Sequence, residues 1–321
     1  MSNIDLWNFI LENIRGDKKI VLLTVAEASN SSPGRQGFKL AINEDAVCFG
    51  TIGGGIMEKD MIEYSLDLLF GNEKRNIKKL YHSDKTKFEK SGLICGGFQT
   101  ILFSVIDKTK VELINNIISS IKKKQTGELV ISDSDLSYKS SDKLFSTSYE
   151  YESDNNWNYK ESIGLPLIAY IAGGGHVGLA VSRVMKSIGF YVIVFDHRED
   201  VFTIEQNKYA DEIIITQYEE IGEKVIESER SYVIIVTPMH AGDRETLKSV
   251  INKEVQYIGM MGSARKIKTI FNALREEGID ENLFKKVHTP IGLEIEAETP
   301  EEIAVSIAAE IIKVKNSSPT K

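Results

Sequence analysis

Apolar residues keep two different rhythms along this chain, and the change comes near residue 164. Residues 4–14 place Ile4, Leu6, Trp7, Ile10, Leu11 and Ile14 on one face, which predicts an amphipathic helix. "IVLLTVAEA" (20–28), apolar but for Thr24 and Glu27, predicts a buried strand. "NSSPGRQG" follows as a loop, and "FKLAI", "NED" and "AVCFG" read as a hairpin. "TIGGGIMEKDMIEYSLDLLFG" is a glycine turn, then a helix from about residue 56 that stops at Gly71. "ICGGFQTILFSVI" (94–106) is a second glycine turn followed by a strand. Across 126–162 the pieces "ELVIS", "LSYKS", "LFSTSYEY" and "WNYKES" alternate in polarity and predict an antiparallel β-meander, with an acidic linker as the alternative.

From Pro166 onward, apolar β-branched strands alternate with amphipathic helices. "LIAYIAGG", "YVIVFD", "EIIIT", "YVIIVT" and "VQYIGM" are separated by "HVGLAVSRVMKSIG", "YEEIGEKVIES" and "GDRETLKSVIN", and "SARKIKTIFNALREEG" follows. That grammar implies a parallel sheet covered on both faces. The expected fold is therefore α/β: a smaller α+β domain with a β-meander over 1–163, then a parallel-sheet domain over 164–321. A final helix is expected over 300–315: Thr299 caps, Pro300 takes the first turn and Glu302 completes a capping box.

Composition narrows the class. At 42% hydrophobic and 27% charged, the chain reads as an ordinary globular protein, and 321 residues suit two domains. A formal charge of −8 with no basic stripe argues against nucleic acid. The start "MSNIDLWNFI" does not read as a signal peptide, and the longest apolar run, 164–181, is broken by glycines and His176. No membrane association is expected. Two distant cysteines form neither a disulfide framework nor a zinc pattern, so a reduced, cytoplasmic protein is expected.

The candidate chemistry begins at "GGGHVG". Gly173-x-Gly175-x-x-Gly178 follows a strand and opens a helix, the context in which this spacing receives a pyrophosphate and marks a Rossmann-type domain. Asp196 ends the next strand, where an acid can accept from a ribose 2′-OH; that favours a nucleotide without a 2′-phosphate. A scaffold that has lost its ligand is the alternative. Two more strand ends converge on the same crevice: "TPMHAGD", with Thr237, His240 and Asp243, and "GMMGSARK". There Ser263 can cap a helix whose first turn holds Arg265 and Lys266, cations that oppose the helix dipole unless an anion binds. Solvated cations, and a plain turn role for His240, remain open. Glu294, Glu296 and Glu298 alternate along an extended segment, where solvated charge is favoured over a metal site. Cys48 alternates like a core strand residue, and Cys95 stands before two glycines.

Together "SSPGRQGFKL", "GTIGGGIME", "CGG", "GGGHVG", "VFDHRE", "IGMMGSARK" and "PIGLEIEAETPEEIAVSIAAEI" give the chain a resemblance to the xanthine dehydrogenase accessory factor family (XdhC/CoxI) over nearly its whole length. The resemblance implies a maturation factor more than a turnover enzyme. Such a factor binds the molybdenum cofactor (molybdopterin, alone or in a dinucleotide form) and works with a cysteine desulfurase during sulfuration. It then delivers the cofactor to an apo molybdenum hydroxylase. By the same resemblance Gly53, Gly54, Gly55 and Glu58 match the glycine-loop-and-acid motif, and Cys95, Gly96 and Gly97 match CGG. Gly173, Gly175, His176, Gly178 and Asp196 match the nucleotide half, and Gly262, Ser263, Arg265 and Lys266 match the basic loop. The nucleotide end is expected on 173–178 and Asp196, and the pterin end on 53–58 and 95–97. Cys95 is then a sulfur carrier or molybdenum contact, with a small buried turn residue as the alternative. Rival readings are an NAD(H)-dependent oxidoreductase and a nucleotide-sensing module. A homodimer is left open.

Overall fold

The computed structural model describes residues 3–29, 31–81, 97–141 and 147–317. The chain divides into two compact units, Met1–Leu165 and Pro166–Lys321.

In the first unit the elements are α1 (Asn3–Arg15), β1 (Ile20–Ala28), β2 (Lys39–Asn43), β3 (Cys48–Gly50), α2 (Gly55–Leu69), β4 (Ile77–Tyr81), β5 (Phe98–Ile106) and α3 (Val111–Lys122). They are followed by β6 (Thr126–Ser132), β7 (Leu136–Ser141), β8 (Ser148–Ser153) and β9 (Asn156–Ile163). β1 to β5 form one antiparallel sheet in the order β3-β2-β1-β5-β4. The mostly apolar sequence of β1 has a simple cause: both faces of its sheet are covered. Ile20, Leu22 and Ala26 pack with α1, α3 and the second sheet, whereas Val21, Leu23 and Val25 pack with Met57, Met61 and Tyr64 of α2. Helix α3 presents Ile114, Ile117, Ile118 and Ile121 to the first of these cores.

The region 126–163 is antiparallel, but its order is β7-β6-β9-β8. It is two hairpins joined through β6 and β9, not the consecutive meander the sequence suggested. Burial explains the order. Leu129 and Ile131 of β6 and Trp157 and Tyr159 of β9 are buried, so those strands take the centre. The polar β7 and β8 take the edges, where water satisfies their outer groups. Lys39 and Glu161, both nearly buried, pair at 2.5 Å across the interior of this unit.

The second unit contains β10 (Ile168–Ala172), α4 (His176–Ser187), β11 (Tyr191–Asp196), α5 (Phe202–Glu205), β12 (Glu212–Ile215), α6 (Ile221–Lys224) and β13 (Ser228–Ile235). Then come α7 (His240–Val250), β14 (Val255–Met260), α8 (Ala264–Glu276), α9 (Glu281–Phe284), β15 (Val287–His288) and α10 (Pro300–Ser317). The sheet is parallel, in the order β12-β11-β10-β13-β14-β15. This is the Rossmann-type arrangement that the alternation implied. Ala172 lies beside Phe195 on one side and Ile235 on the other, so the loops after β10, β11 and β13 leave the sheet at one level. Strand order reverses between β10 and β13, where ligands of such sheets bind. The capping box is present: Glu302 N donates to Thr299 Oγ1 (3.2 Å) and Thr299 N to Glu302 (3.0 Å).

Candidate functional site

The loop after β10 is shaped by its glycines. Gly173 has φ +115°, and a Cβ there would overlap the Val236 carbonyl. A Cβ at Gly178 would overlap the Gly173 carbonyl, so only glycine lets α4 lie this close to β10. Gly175 differs: it caps α4 with extended backbone, no side chain caps the helix, and no atom lies within 4 Å of where its Cβ would be. The first turn of a 12-residue helix therefore faces open space with its N–H groups forward. His176, its first residue, is exposed.

Asp196 reaches this loop but not in the expected role. Its carboxylate is fully buried. Oδ2 accepts from Gly174 N (2.8 Å) and Arg198 Nη2 (2.9 Å); Oδ1 accepts from Arg198 N (3.1 Å) and Nε (2.9 Å). Burial alone would raise its pKa, but the bonds from Arg198 and Gly174 outweigh it and hold the carboxyl below its usual range. Four donors fill the four lone-pair sites of a carboxylate, so none is left for a ribose hydroxyl. Asp196 is a clamp that fixes the glycine loop and aims Arg198. From the other side Thr203 Oγ1 donates to the Gly174 carbonyl at 2.5 Å.

The loop after β13 is organised by Asp243, which is also buried. Its Oδ1 accepts from Thr237 N (3.1 Å) and lies 2.7 Å from Thr237 Oγ1, and its Oδ2 pairs with Lys266. Burial pushes the Asp243 carboxyl up, against the pull of Lys266 and Thr237. Lys266 is thus committed to Asp243 instead of standing ready for an anion, while Arg265 and Ser263 are exposed. Ser263 caps α8 through Lys266 N at 3.3 Å, as its position suggested. His240 is the exposed first residue of α7.

Beneath these loops lies Tyr218, which sequence reasoning passed over. It is 6% exposed, its ring stands edge-on to His197 at 5.0 Å, and its hydroxyl has no hydrogen-bond partner among the described residues. Burial pushes it up to about 12, with Asp196 adding to the shift. A tyrosine just past the carboxyl end of a strand was the available signal.

In the first unit, Gly53, Gly54 and Gly55 all have positive φ. Their loop is closed by Glu58, whose Oε2 accepts from Thr51 Oγ1 (2.6 Å), Ile52 N (2.8 Å) and Gly54 N (3.1 Å). Gly53 N donates to Thr51 Oγ1 at 3.1 Å. The chain's own carboxylate thus sits where a bound anion would. Gln99, fully buried, ties this loop to the serine-rich one: it accepts from Ser32 Oγ (2.5 Å) and Gly34 N (3.2 Å) and donates to the Ile52 carbonyl (2.9 Å). A glutamine inside the apolar "FQTILFSVI" was the trace it left in the sequence. Gly97 lies against Ser29 and Ser31, where a Cβ would overlap both hydroxyls. Cys95 and Gly96 lie outside the described residues.

Cys48 corrects an expectation. It is exposed at the start of the edge strand β3, and partial burial of its sulfur together with the charge of Glu58 pushes the thiol up. Glu294, Glu296 and Glu298 are exposed, and no group of three metal-ligating side chains occurs among the described residues. No helix among them is long and apolar enough to cross a membrane. A cavity of about 420 Å³ is lined by His288, Leu293, Glu310, Lys313, Val314 and Ser317, and shares no residue with either glycine loop.

Fold and loops together define a two-unit α/β protein: an antiparallel-sheet first unit and a Rossmann-type second unit. A family model described as the XdhC Rossmann domain matches residues 169–311, and one described as the XdhC and CoxI family matches residues 14–80. The two models together take in more than half of the chain, which belongs to the XdhC and CoxI family. The Escherichia coli protein named uncharacterized protein YqeB is 25% identical over 301 residues, 92% of this chain and 43% of YqeB. A Bacillus subtilis protein named as a probable subunit of xanthine dehydrogenase is 30% identical over 149 residues, 46% of this chain and 42% of that protein. The matches thus span less than half the length of either relative. A Bacillus halodurans protein, whose crystal structure is described as a xanthine dehydrogenase, matches with a TM-score of 0.74 at 22% identity. That match covers 99% of this chain and 97% of the other, and shows the shared fold.

Proposed function

We propose that this chain is an accessory factor for a molybdenum hydroxylase of the xanthine dehydrogenase type. It takes up the molybdenum cofactor, supports its sulfuration together with a cysteine desulfurase, and passes it to the apoenzyme. Family membership and the name of the Bacillus subtilis relative point to the client. The observation that carries the cofactor is the open helix start at Gly175. Molybdopterin ends in a phosphate, and the uncapped first turn of α4 offers N–H donors and a favourable dipole to it. The Tyr218 hydroxyl, without a hydrogen-bond partner among the described residues, fits the same reading. Glu58 fills the glycine loop of the first unit, so the phosphate belongs to the second. Cys95 is the candidate sulfur carrier.

An NAD-dependent oxidoreductase is less well supported. NAD(H) is recognised through a free carboxylate at the end of the second strand, and Asp196 there is fully engaged by Arg198 and Gly174.

The test is anaerobic incubation with cofactor released from a molybdenum hydroxylase, followed by gel filtration and transfer to a sulfur-free apoenzyme. Molybdenum and pterin should co-elute with the protein, and reconstitution with a cysteine desulfurase should be faster in its presence than without it. Absence of both effects would refute the proposal. Full activity with Cys95→Ala would remove only the carrier role.

A further inference from the structure

The clamp at the end of β11 changes what the site offers a ligand. Where a free carboxylate ends this strand, it selects ribose hydroxyls. Here Asp196 has no exposed surface and no unused lone pair. The group presented to solvent is Arg198, whose side chain is 39% exposed. Its Nε and one Nη2 hydrogen are spent on Asp196, in a two-point fork that fixes the guanidinium plane. Three of its five N–H groups remain for a ligand. Two buried polar atoms beside the clamp have no hydrogen-bond partner among the described residues: the hydroxyl of Tyr218, and Nδ1 of His197, which stands 3.5 Å from Asp196 Oδ1. The exposed Glu199 and Asp200 that follow are in water, where salt screens their repulsion.

We infer that Arg198 makes this site select a ligand carrying a phosphomonoester, a dianion with three acceptor oxygens, at the end of β11. The inference rests on the second unit being the cofactor site. It reverses the expectation of a nucleotide without a 2′-phosphate. Two ligands carry that chemistry: a nucleotide with a 2′-phosphate, and molybdopterin not extended by a nucleotide, whose terminal phosphate is a monoester. In the dinucleotide form the same phosphate is joined to the nucleotide through a pyrophosphate bond, keeps a single negative charge and loses that preference.

Calorimetric titrations of the whole chain separate these sources. One arm compares NADP⁺ with NAD⁺, which differ only in the 2′-phosphate. The other compares molybdopterin-form cofactor with its cytosine dinucleotide. In at least one arm the monoester-bearing ligand should bind about tenfold tighter or more, the scale of charge-assisted bonds to one guanidinium. Arg198→Gln should bring the two affinities together, and Arg198→Lys should restore part of the difference. Preference in the first arm identifies a nucleotide phosphate, and preference in the second the pterin phosphate. Equal binding within both arms, or a preference that survives Arg198→Gln, would overturn the inference while leaving the cofactor site standing. Failure of all four ligands to bind would overturn the site as well.

Discussion

The two glycine loops look alike in sequence and differ in structure. "TIGGG" in the first unit closes on Glu58, so the amides of Ile52 and Gly54 are satisfied by the protein itself. "GGGHVG" in the second unit also meets an acid, but Asp196 takes only the amide of Gly174 and leaves the start of α4 open at Gly175. The distinction lies in where the carboxylate comes from. Glu58 sits on the helix that its own loop opens and folds back over it. Asp196 comes from the end of the neighbouring strand β11 and takes only the Gly174 amide of the loop. A glycine cluster beside an acid therefore signals an ordered loop, and only the position of the acid decides whether the loop can bind an anion.

The largest expected effect separates glycines within the second loop. Gly178→Val places side-chain atoms into the Gly173 carbonyl and should destabilise the second unit by roughly 3 kcal/mol or more in urea unfolding. A loss under about 1 kcal/mol would show that α4 has room to move off β10.

The contrast between the loops can be broken from the first unit. Glu58→Ala strands the donors of Thr51, Ile52 and Gly54 and should cost about 1–3 kcal/mol. It also empties the loop, so added phosphate should raise the melting temperature of the variant more than that of the wild type. An unchanged melt with no phosphate response would mean that Glu58 does not fill an anion site.

A smaller effect follows from the clamp. The folded-state pKa of Asp196 is depressed, so its contribution is present above the ordinary carboxylate value of about 3.9 and is lost as pH falls through the lower folded value. Between about pH 5 and 2 the stability of Asp196→Asn should fall less steeply than that of the wild type. Parallel curves would show that Arg198 and Gly174 do not favour the ionised form.

Much of this architecture was legible from pattern. The parallel sheet announced itself through apolar runs alternating with amphipathic helices, and the capping box at Thr299 and Glu302 formed as its spacing implied. Helix α3 was hidden, because its isoleucines favour strand by propensity while their spacing of three and four marks a helix face. The hairpin pairing of β6 with β9 escaped because alternation shows that a strand exists but not which strand lies beside it. Within the site, the glycine spacing was visible, but the use of each charge was not. Asp196 and Lys266 had charges suited to a ribose and an anion, Glu58 matched a family motif, and each is engaged by a partner within the protein. Those partnerships depend on tertiary placement, which neither spacing nor composition encodes.

The central claim is that the open start of α4 receives the phosphate end of the cofactor, and Gly175→Val tests it most directly. Gly175 has φ −73° and no neighbour within 4 Å of a Cβ, so the substitution should fold without overlap and cost only the roughly 1 kcal/mol of a poorer N-cap. The added side chain would stand where the phosphate must approach. Equilibrium binding of released molybdenum cofactor to wild type and variant, measured at a temperature where both are fully folded, should show a loss of about tenfold or more. Equal affinity of the two proteins would contradict the account.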